Sequence, residues 1–206
     1  APPPQGNTFY ELQRNGSQWQ GFGMLKPAYY PCRNCWGPVT WAMSTGQKNP
    51  SRSGSSAKTS VGGNQAYNDA FWNNHLIGDY STQGLPDTNH TLAPSLHDFT
   101  YDVWFFAPNV GAAQALEFDI NQFINGKAFI WGHECRVAGG HQWDIWDNVR
   151  QRWSPTGVAC NPTPNAWNHL IIHVQRTSGN QLLFKTISLN GNVATLNRID
   201  NPIARN

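Results

Sequence analysis

The sequence predicts an all-β fold, a two-sheet antiparallel jelly-roll β-sandwich with a concave binding face and long N-terminal loops. Three observations lead there. Almost no stretch repeats its apolar residues at the three-to-four spacing of an amphipathic helix. Short runs rich in Val, Ile, Thr and aromatic residues are separated by Gly, Pro, Asn and Ser, the pattern of strands and turns. Asn-Gly stands between such runs at Asn125–Gly126 and again at Asn190–Gly191, the strongest short hairpin signal. Consecutive hairpins build a two-sheet sandwich, and one sheet of such a fold commonly curves into a cleft.

The elements follow in chain order. Residues 1–56 read mostly as loop, with short strands near 9–12 and 39–43. Residues 44–63, dominated by Ser, Gly and Lys, read as an exposed loop running into a strand. Residues 66–77 (AYNDAFWNNHLI) fit a short helix or an irregular strand, and the pattern does not choose. From Phe99 the pattern sharpens. Residues 99–108 (FTYDVWFFAP) form a strand closed by Pro108. Residues 113–124 (AQALEFDINQFI) and 127–137 (KAFIWGHECRV) flank the Asn125–Gly126 turn. A Gly139–Gly140 turn leads to 141–147 (HQWDIWD). Residues 167–176 and 181–189 make a further hairpin around Ser178, Gly179 and Asn180. No internal repeat or linker divides the chain, so residues 1–206 read as one domain.

Composition narrows the function. Charged residues make up 13%, about half the usual ~25%. Aromatics also make up 13%, ten of them Trp, which is the composition of a folded chain rather than a disordered one. Net charge is +2, and Lys and Arg are scattered singly. Nucleic acid needs a basic patch or stripe, and an anionic membrane needs clustered cations, so neither is an expected partner. No apolar run approaches the ~18 residues of a membrane span. The opening APPPQGN reads as a mature end left by signal-peptide removal or as an artificial boundary, and the expected location is extracellular. Sequons at Asn15 and Asn89 would carry glycans in a eukaryotic secretory pathway.

Cys32, Cys35, Cys135 and Cys160 allow three pairings. The favoured ones are Cys32–Cys35, closing a tight loop, and Cys135–Cys160, stapling the strand at 132–137 to the segment 157–160. The alternatives are a four-Cys zinc site, which fits poorly because only one pair has Cys-x-x-Cys spacing, and a redox pair, which lacks a βαβ setting.

The first hairpin yields a register. A two-residue Asn125–Gly126 turn pairs Ile124 with Lys127, Ile120 with Trp131, and Phe118 with His133. On the other face Asn121 meets Ile130, Asp119 meets Gly132, and Glu117 meets Glu134. If Gly139–Gly140 is also a two-residue turn, Arg136 meets Trp143 and Gly132 meets Asp147. The carboxylate face then holds Glu117, Asp119, Asn121, Glu134, Trp143 and Asp147. Like charges held opposite each other are destabilising and push one pKa upward. A raised acid beside an ionised one is what a retaining glycosidase uses, with carboxyls ~5 Å apart. The expectation is Glu117 as nucleophile, Glu134 as acid/base and Asp119 tuning Glu117, while Asn121 and Asp147 bind sugar hydroxyls. The competing readings are an ordinary solvated face and a calcium site, since alternating oxygen ligands suit a hard cation.

Sugars stack on aromatic rings while polar groups hold their hydroxyls. Trp143, and Trp36, Trp41 and Trp72 in loop-rich regions, with Tyr29 and Tyr30, are the candidate platforms. Trp104, Trp131, Trp146 and Trp167 lie in strand patterns and read as core. His169 and His173 alternate with Leu170 and Ile172 and read as an exposed pair. No Gly-x-Ser-x-Gly nucleophile elbow occurs.

Residues 115–122 (ALEFDINQ) resemble the acidic strand of the concanavalin A-like lectins and glucanases. In the laminarinase-like hydrolases Glu-x-Asp on that strand carries catalysis and continues to a second Glu, whose place here is taken by Asn121 or Gln122. In legume lectins a similar segment holds calcium and manganese, but their later acidic ligand falls near Ala128. Residues 99–150 are locally similar to the jelly-roll endoglucanases of glycoside hydrolase family twelve. That resemblance implies Glu117 as nucleophile and Asp102 as its supporting acid. The acid/base Glu of that family lies far downstream, and no Glu follows Glu134 here.

The readings together are a monomeric, secreted carbohydrate-active protein that binds polysaccharide or oligosaccharide with Asn121, Trp143, Asp147, Asp102, Arg136, Trp36 and Trp72. It acts either as an endo-acting retaining glycoside hydrolase or as a non-catalytic lectin or carbohydrate-binding module, with no cofactor beyond an optional calcium. A polysaccharide lyase, for which Gln142 and Arg136 would neutralise a uronate, and an adhesion domain without a small ligand are the remaining alternatives.

Overall fold

A computed structural model describes residues 8–14, 19–24, 40–63, 69–74 and 96–204. The chain divides into two compact units, Ala1–His75 and Leu76–Asn206, each taken by itself below.

The N-terminal unit is built from two antiparallel pairs. Strand β1 (Trp19–Met24) pairs with β4 (Asp69–Asn74), and β2 (Thr40–Gln47) pairs with β3 (Ser56–Gly62). The region left open between helix and strand is therefore strand at its centre. The expected exposed loop over 44–63 is for the most part a hairpin, whose tip is held by Lys48 Nζ donating to the Gly54 carbonyl and Ser56 Oγ to that of Pro50. The strand expected at 9–12 is absent: Leu12–Arg14 form a 3-10 turn, entered through Glu11 at φ 55°.

The C-terminal unit is a sandwich of two antiparallel sheets. One carries β5 (Asp98–Phe106), β10 (Trp167–Arg176), β11 (Leu182–Leu189) and β12 (Asn192–Asp200), in the order β12-β11-β10-β5. The other carries β6 (Ala115–Ile124), β7 (Lys127–Arg136), β8 (Gln142–Asp147) and β9 (Arg152–Ala159) as a meander, with β13 (Ile203–Ala204) beside the start of β7. The chain crosses between sheets after β5, β9 and β12. Consecutive strands are neighbours through most of both sheets, so the described connectivity is that of meanders. The interleaved strand order of a jelly roll is not what these strands show.

Alternation decides which side of each strand is buried. Phe99, Tyr101, Val103 and Phe105 of β5 face Leu116, Phe118 and Ile120 of β6 and Phe129 and Trp131 of β7 across the core. Leu170, Ile172 and Val174 of β10 and Leu182, Phe184 and Ile187 of β11 complete it, all almost fully buried. Ring contacts cross between the sheets from Phe105 to Phe118 and from Phe99 to Trp131, with centroids 5.1 and 5.6 Å apart. The Cys135–Cys160 disulfide forms as expected, with Cα atoms 5.7 Å apart. Cys32 and Cys35 lie outside the described residues. No described helix is long and apolar enough to cross a membrane.

Strand β9 carries no clear sequence signal because Pro155 and Gly157 interrupt it. It is an edge strand, where Pro costs no ladder bond, and a bulge opposite Trp143 and Asp144 absorbs two residues. Thr156 Oγ1 closes that bulge, donating to the Trp143 carbonyl at 2.6 Å and accepting from the Val158 amide at 3.1 Å.

Two buried asparagines finish what the strands leave open. Strand β8 stops at Asp147 and β13 reaches back only to Ala128, so Ile130 of β7 lacks a strand partner on that edge. The Asn148 carboxamide takes the place: Nδ2 donates to the Ile130 carbonyl at 2.9 Å and Oδ1 accepts from its amide at 3.3 Å. Asp200 Oδ2 accepts from both Asn148 nitrogens, at 2.6 and 3.1 Å. Asn168 does the same for the Thr163 backbone. Asn148→Ala leaves the Ile130 amide and carbonyl without partners, at about 1–3 kcal/mol for each unsatisfied group, while the backbone amide of residue 148 keeps its bond to Asp200. We expect a loss of about 3 kcal/mol, read as a lowered urea midpoint; an unchanged midpoint would show that the clamp carries no stability.

Candidate functional site

The outer face of the meander sheet is where the sequence and the fold meet. The Asn125–Gly126 turn has φ 53° and 68°, the doubly positive geometry of a type I′ hairpin. It sets the β6–β7 register residue for residue as expected, with Glu117 opposite Glu134 and Asp119 opposite Gly132. The odd-numbered residues of β6 and even-numbered residues of β7 face outward, because their neighbours Phe118, Ile120, Phe129 and Trp131 belong to the core.

The second turn differs from expectation. Arg136 pairs with Gln142, so residues 137–141 form a five-residue loop in place of a two-residue turn. Gly139, Gly140 and His141 all have positive φ, and Arg136 Nη1 donates to the Gly139 carbonyl at 2.7 Å. The one-residue shift exchanges the faces of β8. Trp143 and Ile145 turn into the core, 1% and 3% exposed, while Gln142, Asp144 and Trp146 join the acids. The energy explains the choice: burying Trp143 and Ile145 stabilises by about 1.5–3 kcal/mol for each side chain, whereas the other register would set Gln142 and Asp144 among the apolar core side chains, away from the Arg136 guanidinium that accompanies the buried Asp144 on the outer side, at a cost of several kcal/mol.

Two rows therefore cross the outer face. One runs Glu117, Glu134, Asp144 and Pro155 over β6 to β9. The next runs Asp119, Gly132, Trp146 and Trp153. Gly132 is needed in its row, since a Cβ there would lie 2.9 Å from Trp146 Cβ, 3.2 Å from Trp153 and 3.3 Å from Asp119 Oδ1. The two tryptophans meet edge to face with centroids 5.3 Å apart, and both stay half-buried at the surface. Asp119 Oδ1 accepts from the His133 amide at 3.2 Å. Arg136 Nε lies 2.9 Å from Asp144 Oδ2. That is an ion pair by distance whose N–H is not aligned as a hydrogen bond, and Asp144 Oδ1 is buried with no partner among the described residues.

The other candidates fall elsewhere. Trp143 packs on Phe118 inside the core and is not a surface platform. Asp147 is on the core side and holds the turn after β8: its oxygens accept from the Arg150 amide at 2.7 Å and guanidinium at 2.9 Å. Burial pulls the Asp147 pKa up, but the Arg150 hydrogen bonds and the charges of Arg150 and Arg152 outweigh it and leave the carboxyl below its ordinary value. Asn121 is exposed beside Asp119. Asp102 projects from the outer face of the opposite sheet, where it accepts from His169 Nε2 at 2.8 Å, so it does not support Glu117. Trp72 is half-buried on β4 of the N-terminal unit, and Trp41 on β2 is 42% exposed. Trp36, Tyr29 and Tyr30 lie outside the described residues. No three His, Cys, Asp or Glu side chains among the described residues are arranged to hold a metal ion.

Trp146, Trp153 and Asp144 are the site residues that the sequence reading missed. The signal was present in WDIWD: Trp143 and Ile145 alternate with Asp144, and a core takes the apolar pair. Trp104 and Trp167, read as core, stand instead on the outer face of the opposite sheet. There Trp104 stacks on His169 at 4.2 Å, and His169 and His173 are surface residues as expected. Asp98 beside His173 and Lys185 is partly desolvated, which raises its pKa, yet those two partners bring it below its ordinary value.

Two titratable side chains pack in the core, the partly buried Tyr101 and the fully buried His133. Burial pushes the Tyr101 phenol up to about 12, helped by the Asp119 charge. Burial pushes the His133 imidazole down to about 4, against the pull of the Trp131 carbonyl, 3.0 Å from Nδ1, and of the Phe118 backbone.

No protein family, curated protein or solved structure matches the chain.

His133 makes the fold acid-labile in a defined window. Its folded pKa of about 4 lies below the unfolded ~6.5, so between those values the unfolded chain binds a proton that the folded one refuses. Stability is full above pH ~6.5 and falls by about 3 kcal/mol as pH drops to ~4. Asp147 adds a loss in the same direction below the ordinary carboxylate range. Urea midpoints measured from pH 7 to 4 should show this slope, and His133→Leu should flatten it; an equal slope in the variant assigns the lability elsewhere.

Proposed function

We propose that this chain is a secreted carbohydrate-active protein that binds polysaccharide on the outer face of the meander sheet and hydrolyses it with Glu117 and Glu134. The observation that carries the reading is the placement of Glu117 directly opposite Glu134, in a row that continues to Asp144 and lies beside the Trp146–Trp153 pair. Directly opposite residues hold their Cβ atoms ~5 Å apart, which suits the ~5–5.5 Å carboxyl separation of a retaining mechanism. Glu117 would attack the anomeric carbon while Glu134 gives its proton to the leaving oxygen. Glu134 would then take a proton from the water that cleaves the glycosyl–enzyme bond. Asp119, fixed on the His133 amide, keeps a negative charge next to Glu117. Trp146 and Trp153 offer apolar ring surface to a sugar, and Asn121 and Gln142 offer carboxamides to its hydroxyls. The likeness of residues 115–122 to the acidic strand of concanavalin A-like glucanases points the same way. The Cys135–Cys160 disulfide fits an oxidising, extracellular location.

A non-catalytic lectin or carbohydrate-binding module would use the same face. What favours it is that Asp119 and Asp144 already hold backbone and Arg136 partners, which suits binding more than proton transfer.

Reducing-end release from β-glucans, xylan, mannan, pectins and alginate separates the two. A hydrolase should release reducing ends without unsaturated product. Glu134→Gln should lower the rate by about 10²–10⁴-fold with retardation in a gel of the same polysaccharide unchanged. Retardation without turnover on every substrate would retire the Glu117–Glu134 mechanism and leave the binder.

A further inference from the structure

We infer that a second binding site lies in the cleft between the edge strands β9 and β12, and that it takes a single neutral ring carrying hydroxyl or ether oxygens. At one end Arg198 ties the two edges together, donating to the Pro155 carbonyl at 3.3 Å and to Ser154 Oγ at 3.2 Å. Beyond that tie the edges part around a cavity of about 240 Å³. Its lining is apolar below and polar at the mouth: Trp143, Ile187 and Leu189 are buried, while Asn161 and Asn192 stand exposed.

Three features set the ligand class. None of the lining residues is ionisable, so a charged ligand would lose its hydration with no counter-charge to offset the loss. The volume exceeds the ~150 Å³ of an apolar cavity that accepts benzene, which leaves room for a six-membered ring and its substituents. The mouth carries hydrogen-bonding groups that are uncommitted. Asn190 is occupied, accepting from the His169 amide at 2.8 Å and donating to Asn168 Oδ1 at 2.9 Å. The Asn161 and Asn192 carboxamides have no such partner among the described residues. A ring that is apolar in its body and oxygenated at its edge satisfies both parts. An alicyclic alcohol and a terminal pyranose share that chemistry. The cleft opens on the core side of Trp143, on the opposite side of the sheet from Glu117, and does not depend on the polysaccharide reading.

The test is amide and indole shift mapping on the ¹⁵N-labelled full chain with cyclohexanol, methyl β-D-glucopyranoside and, as the charged control, cyclohexanecarboxylate. At least one neutral probe should move the Trp143 indole and the Ala159, Asn161 and Asn192 signals saturably, and the neutral probe that saturates first identifies the source. The carboxylate should leave them in place. Ala194→Leu, which fills the cleft from β12, should abolish the shifts, and Glu117→Gln should not affect them. If Ala194→Leu loses its dispersed spectrum, Ala159→Trp on the exposed wall replaces it. The proposal is overturned if neither neutral probe shifts these signals, if the carboxylate shifts them equally, or if the shifts survive in a folded cleft-filling variant.

Discussion

Side-chain alternation along β6, β7 and β8 is the constraint on which both the core and the site depend. Successive residues of a strand point to opposite faces, so every residue committed to the core commits its neighbour to the surface. Phe118, Ile120, Trp131, Trp143 and Ile145 go inward, and that alone places Glu117, Asp119, Glu134, Asp144 and Trp146 outward on one side of one sheet. The acids do not need an attraction to gather; hydrophobic burial behind them gathers them. The repulsion between Glu117 and Glu134 is a cost of a few tenths to about 1 kcal/mol, small against the burial of even one of the rings behind them.

The two turns show how a register is fixed or lost. Asn125–Gly126 supplies two residues that accept positive φ, and the hairpin closes on them with no residue to spare. Gly139–Gly140 offers the same local chemistry, but His141 also enters the left-handed region and the loop closes over five residues. Burial forces the longer loop, since only that register puts Trp143 and Ile145 inside. A local turn preference of a fraction of a kcal/mol yields to two buried side chains.

The ends of the meander sheet are managed by polar groups that no periodicity reveals. Asn148 stands in for a missing strand against Ile130, and Asp200 from β12 holds it there. Thr156 closes the bulge of β9, and Arg198 ties β9 to β12. These contacts join residues 13 to 52 positions apart. They fix where the sheet stops, and with it the cleft beside Trp143.

By itself the sequence determined the all-β class, the 115–136 hairpin with its register, the Cys135–Cys160 bridge and the opposition of Glu117 and Glu134. Each follows from local rules: period-two patterning, an Asn-Gly turn, and the reach of two cysteines. Tertiary structure decided the faces of β8, the existence of β9 through its Pro and Gly, the meander connectivity, and the exchange of Trp143 and Asp147 for the buried Asp144 and the half-buried Trp146 and Trp153 on the outer side of the sheet. The physical reason is the same in each case. A loop length or an edge strand is nearly neutral in local free energy, and only the burial it permits across the whole sandwich selects one outcome.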